Sequence, residues 1–302
     1  MSDVPPPDRP LLGIAWMLGT TLCFTAVNVI VHYLGTSLPA AQSSFVRFLW
    51  GVLFVLPALW HLAQTRYPGR VWALFGLRGA LQAVAVGLWF FAMARTPIAD
   101  VTAIGYLNPI VVTLGGALLL GEGFAWRRGV AILVALIGAL VILRPGLREV
   151  LPGHIAQLGA AFFFGAAYLV AKRLSGQVPA SVVVAAMTVA VTLCLAPFAI
   201  AVWEPMTLSE TLWLGATAAF ATAAHYFMTR AFQCAPVTVT QPVVFTQLVW
   251  ASAAGWVLFG ERVDPFVILG GAMIIAAISY MSWREAQLKR RAATPVAGTT
   301  RV

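Results

Sequence analysis

The chain has 302 residues, 61% of them hydrophobic and 10% charged, with a mean hydropathy of +0.89. Soluble domains carry about a quarter of their residues as charges, so a water-soluble globule is excluded. The formal net charge of +9 does not argue for nucleic acid, because the basic residues sit between apolar runs and at the carboxyl end, where membrane topology accounts for them.

A helix crossing the hydrocarbon core needs roughly 20 mainly apolar residues. After a polar segment at 1–10, ten such runs follow, at 11–34, 44–64, 71–94, 98–120, 125–143, 153–173, 180–203, 207–230, 237–259 and 264–283. The sharpest edges are charges, as from Asp100 to Glu122, Glu149 to Lys172 and Asp264 to Arg284. The fifth run, between Arg128 and Arg144, is short, and its flanking arginines and Trp126 can snorkel to the interface. Barrel strands would alternate in polarity over about ten residues, whereas these runs are continuously apolar. Helices also satisfy their own backbone hydrogen bonds in lipid. The expected fold class is all-α integral membrane, with ten transmembrane helices.

The opening MSDVPPPDRP lacks the basic start and small-residue cleavage site of a signal peptide, so it is expected to be a retained cytoplasmic tail. Residues 284–302 read as a basic cytoplasmic tail. With both termini inside, thirteen Lys and Arg residues fall on the cytoplasmic side and four outside, which predicts that orientation in a bacterial cytoplasmic membrane. Cys23, Cys194 and Cys234 show neither metal nor disulfide spacing and read as packing residues.

The segment from Pro97 to Gly121-Glu122 recurs from Pro236 to Gly260-Glu261 at a constant offset of 139. Tyr106 falls on Phe245, Asn108 on Gln247 and Gly116 on Gly255; earlier, at offset 140, Gly13, Phe24 and Pro57 fall on Gly153, Phe164 and Pro197. The chain is a doubled five-helix unit, with repeats at 11–146 and 153–283. Because five is odd, the second copy enters the membrane from the opposite face, and such inverted repeats supply the two states of alternating access. One chain contains both halves, so a monomer suffices.

Several motifs carry a family likeness: Arg78-Gly79, Ala94 to Pro97, Asn108-Pro109, Leu120-Gly121-Glu122, Arg127-Arg128, Arg144-Pro145-Gly146 and, more weakly, Pro236 and Gly260-Glu261. With these the chain resembles the drug/metabolite transporter superfamily, specifically its EamA-type members, over nearly its whole length. The resemblance implies a basket of helices one, three, four, six, eight and nine around a central cavity, with five and ten as scaffold. It implies small-metabolite transport, as in the YddG-type amino-acid exporters or carriers of riboflavin and S-adenosylmethionine. The second half departs from the pattern at Gln247-Leu248, which replaces Asn-Pro, and at Met187, which stands where Arg47 would repeat.

Polar residues on one face of a span point to the route. Thr21, Thr25, Asn28 and His32 form such a stripe on helix one, and Tyr168 and Lys172 lie on the matching face of helix six. Helix three offers Arg78, Gln82 and Trp89; helix four Tyr106 and Asn108; helix eight His225; helix nine Gln241, Phe245 and Gln247. Pro109 and Pro242 fall inside spans, where a missing N–H permits the interrupted helices of transporter sites. The expected substrate-binding set is therefore Asn28, Arg78, Gln82, Trp89, Tyr106, Asn108, Tyr168, His225, Gln241, Phe245 and Gln247. Arg78 can pair with a carboxylate or snorkel, and Arg47, near the outer boundary, reads as structural.

All ten acids sit in tails or at span ends, leaving His225 as the sole expected buried titratable group, so facilitated diffusion stands beside proton exchange. The sequence contains no P-loop, HExxH, GxSxG or metal spacing, so no catalytic residue, metal or cofactor is expected, and an intramembrane enzyme or a channel is a distant alternative. The expected activity is export of amino acids, aromatic ones included, with the lipid bilayer as the other partner and no nucleic acid. The alternative is uptake of a cofactor-like metabolite such as S-adenosylmethionine or riboflavin.

Overall fold

The structure, a computed structural model, describes residues 10–119, 126–147, 149–174, 177–234, 240, 243–262 and 264–293. These residues form twelve helices: α1 Pro10–Leu34, α2 Ala40–Phe54, α3 Leu56–Gln64, α4 Gly69–Met93, α5 Ile98–Gly105, α6 Asn108–Leu119, α7 Trp126–Leu143, α8 Pro152–Leu174, α9 Ala180–Ala201, α10 Leu208–Cys234, α11 Thr246–Phe259 and α12 Pro265–Ala293. Four of them are unbroken and apolar enough to cross a membrane alone: Leu11–Leu34, Gly69–Met93, Pro152–Ala171 and Ser181–Ala201.

The other expected spans differ in instructive ways. The second begins at Ala40, four residues before its expected start, and divides at Val55 into α2 and α3, with Pro57 in the first turn of α3. The fourth divides into α5 and α6 at Tyr106–Leu107. Pro109 has no N–H for the carbonyl of Gly105, and tighter bonds from Tyr106 to Ala103 and from Leu107 to Ile104 close α5 instead. In the ninth, the stretch at 235–239 and 241–242 lies outside the described residues, and a turn at Phe245 precedes α11. The tenth continues as helix through Ala293, so the expected tail at 284 begins as part of α12, where Arg284 donates to Gln287 Oε1 at 3.0 Å.

The packing obeys the repeat. Exchanging the halves maps α1 on α8, α2–α3 on α9, α4 on α10, α5–α6 on α11 and α7 on α12. The most extensive interfaces obey this exchange: α1 with α10 becomes α8 with α4, α4 with α9 becomes α10 with α2, and α6 with α8 becomes α11 with α1. The pairs α2 with α9, α5 with α11 and α7 with α12 map onto themselves. A pseudo-two-fold axis must pass between the members of each self-mapped pair, as an inverted repeat requires.

The α7–α12 pair is held by close backbone approach. A Cβ at Gly138 would stand 2.7 Å from the Gly270 carbonyl, and one at Gly270 would collide with the Gly138 carbonyl. Small residues allow this in lipid, where dispersion rather than water release drives helix association. The far side of α7 presents Leu133, Leu136, Ile137 and Leu140 outward, a face suited to acyl chains.

Candidate functional site

At the end of the bundle opposite both termini, here the distal end, the two repeats are tied together. His32, at the end of α1, has Nδ1 2.6 Å from the Met93 carbonyl of α4 and Nε2 3.2 Å from Glu261 Oε1 in the α11–α12 turn. Glu261 Oε2 accepts the Ile98 N–H, satisfying an orphan donor at the start of α5. Gly260 makes this possible: at φ 66° it ends α11 in the left-handed region that only glycine enters freely. Asp100 on α5 meets His154 on α8 at 2.8 Å, both nearly inaccessible, and Arg144 pairs with Asp264. Every ion pair between described residues lies at this end and joins one repeat to the other.

The expectation that His225 alone is a buried titratable group is therefore corrected. His154 is 1% and Asp100 3% exposed. Hydropathy placed Asp100 and His154 at span ends; it could not show that neighbouring helices cover those ends. Beside the ties, a cleft of about 490 Å³ is lined by Pro97, Ala99, Asp100, Ser252, Glu261 and Asp264, among others.

The polar stripe of α1 is a seam rather than an open wall. Thr21 Oγ1 lies 3.4 Å from Thr246 Oγ1 of α11, and the Asn28 amide donates to Thr102 Oγ1 of α5 at 3.2 Å. Thr21, Thr25 and Asn28 are all buried.

The remaining candidates gather deeper. At about 1.5 Å per residue, Arg78 on α4, Tyr168 on α8 and His225 on α10 each lie roughly 23–26 Å from the distal ends of their helices. Arg78 is buried, donating Nη1 to the Val183 carbonyl at 3.0 Å while its Nε has no partner. Tyr168 interacts electrostatically with Arg78, and His225 with both Arg78 and Arg47. Tyr168 is 46% accessible and His225 is exposed. Tyr168 stacks on Phe164, and His225 stands edge-on to Phe24 at 5.4 Å.

Gln82, one turn along α4 from Arg78, and Trp89 are half-buried on the way to the distal end. Tyr106 and Phe245 sit at the two helix breaks, their rings 5.3 Å apart and nearly perpendicular. Asn108 opens α6 with its Oδ1 unpartnered, and Gln247 is half-buried at the start of α11. Gln241, Pro242 and the side chain of Lys172 lie outside the described residues. Arg47, which reads as structural from sequence, lies in the electrostatic range of His225 on α10.

A multi-pass bundle of two inverted repeats is the architecture of a membrane carrier. The chain belongs to the EamA-like transporter family, which it matches twice, over residues 11–144 and 151–283. It is 29% identical to a riboflavin transporter of Rhizobium johnstonii, covering 95% of this chain and 96% of that one. It is 23% identical to an S-adenosylmethionine uptake transporter of Rickettsia prowazekii, covering 91% and 94%, and 26% identical to a pseudopaline exporter of Pseudomonas aeruginosa, covering 89% and 95%. A solved crystal structure at 21% identity superposes with a TM-score of 0.58 over 95% of this chain and 99% of that one, which shows the fold.

Proposed function

We propose that this transporter takes up a cofactor-like metabolite with a planar aromatic part, moving it through the central space by alternating exposure to the two faces of the membrane. The observation that carries this reading is the set of aromatic residues on the helices of that bundle. Tyr168 stacks on Phe164, Trp89 lies on the same helix as Arg78 and Gln82 toward its distal end, and the Tyr106–Phe245 pair sits at the helix breaks, offering flat apolar contact on the same path as a small number of directed donors. Asn108 and Gln247, at the helix breaks, supply amides to the same path, with Asn28 in the adjoining seam.

Amino-acid export, expected first from sequence, gives way to the alternative, because the relatives described carry riboflavin, S-adenosylmethionine or pseudopaline by name. The excess of Lys and Arg in the loops on the side of the termini supports a cytoplasmic-membrane location with both ends inside. Counterflow in proteoliposomes tests the reading: internal unlabelled riboflavin is expected to accelerate entry of labelled riboflavin, saturably. Acceleration by phenylalanine or tryptophan but by no flavin or adenosyl compound would restore the amino-acid reading.

A further inference from the structure

We propose that Arg47 and Arg78 together make the central space cationic, so that it prefers an organic oxyanion, bearing a carboxylate or a phosphate, over its neutral counterpart and rejects a net cation. This rests on the reading that the central space is the substrate site.

Arginine deep in a bilayer persists where it faces a partner or a water-filled cavity. Arg47 lies about 10 Å along α2 from the distal end and Arg78 about 23 Å along α4, so both are well inside the hydrocarbon depth. Neither forms an ion pair with any carboxylate among the described residues. Arg78 is 8% exposed, and its single bond, to the Val183 carbonyl, fixes its orientation without cancelling its charge. The Nε atoms of both guanidiniums are buried and unpartnered.

The helices that carry them, α2 and α4, pack on each other, α10 with His225 packs on α2, and α8 with Tyr168 packs on α4. Asp100, Glu261 and Asp264 are held at the distal end by His154, His32 and Arg144. Two positive charges and unfilled donors, with no counter-ion among the described residues, leave the substrate to bring the negative charge.

Two measurements on the full chain decide the matter. In a chain with Cys23, Cys194 and Cys234 replaced by serine, Tyr168→Cys is treated with sulfonate-bearing and trimethylammonium-bearing methanethiosulfonates. The anionic-to-cationic rate ratio is expected to exceed that of a free cysteinyl peptide by roughly tenfold at low salt. It should fall toward the peptide value with Arg47→Gln and Arg78→Gln and be kept with Arg47→Lys and Arg78→Lys. A ratio at or below the peptide's, or no modification by either reagent, overturns the proposal.

The second is competition in counterflow between molecules of one scaffold and different charge. Flavin mononucleotide is expected to outcompete riboflavin, and S-adenosylhomocysteine to outcompete S-adenosylmethionine; folate against flavin mononucleotide separates carboxylate from phosphate. The reverse order within the flavin and adenosyl pairs overturns the proposal. A high thiol ratio with no transport of any of these compounds would uphold the cationic space and remove the cofactor-like reading instead.

Discussion

Tyr106 and Phe245 occupy the same position of the two repeats, and their rings touch at 5.3 Å and 86°. Equivalent residues of an inverted repeat can meet only beside its pseudo-two-fold axis, so this contact marks where the axis crosses the interior. Both residues stand at helix interruptions. Edge-to-face pairs contribute about 1 kcal/mol beyond burial. Tyr106→Ala and Phe245→Ala should therefore be non-additive in unfolding from mixed micelles, with a coupling of roughly that size. Strict additivity would show that the rings do not support each other.

Opening the distal end requires separating His32 from Glu261. Glu261→Gln should raise labelling of Ser252→Cys, whose parent side chain lines the distal cleft, by an impermeant maleimide added from that side, several-fold over the same cysteine in the parent chain. Labelling left unchanged would mean the pair does not guard the cleft.

Asp100 and His154 are buried together, and removing one partner of such a pair strands the other. Asp100→Ala is expected to destabilise the chain by about 3 kcal/mol, and Asp100→Asn by less because it can still hydrogen-bond. Thermal unfolding in detergent, followed by tryptophan emission, ranks the two; equal losses would assign the effect to space rather than to the bond.

The α7–α12 contact leaves no room for a side chain at Gly270. Gly270→Val should cost about 1–3 kcal/mol and lower the yield of monodisperse protein, as overpacking does. A valine at Gly76, where a new Cβ meets nothing, is the control and should behave like the parent.

The sequence shows the spans and the repeat because hydropathy and self-similarity are local quantities. Pro109 signals the break at Tyr106–Leu107, whereas the division of the second span at Val55, beside Pro57, is not anticipated by its continuous apolar run. The proximity of Arg47 to His225 is not legible in the sequence, because His225 is on a helix of the other repeat and no spacing within α2 announces that neighbour. Asp100 and His154 were visible as residues of span ends, yet their burial depends on how α5 meets α8. The Asn28 stripe was found correctly as a face, while its use as a seam depends on Thr102 and Thr246, which belong to different repeats.

The three distal ion pairs have a kinetic consequence. All of them cross between the repeats, so the halves cannot part there one pair at a time without leaving the remaining pairs to hold the end closed. Opening that end therefore needs all three contacts broken, which gives it a larger activation enthalpy than the loss of any one of them would. Turnover should fall steeply on cooling, with an Arrhenius slope well above that of a water-filled pore.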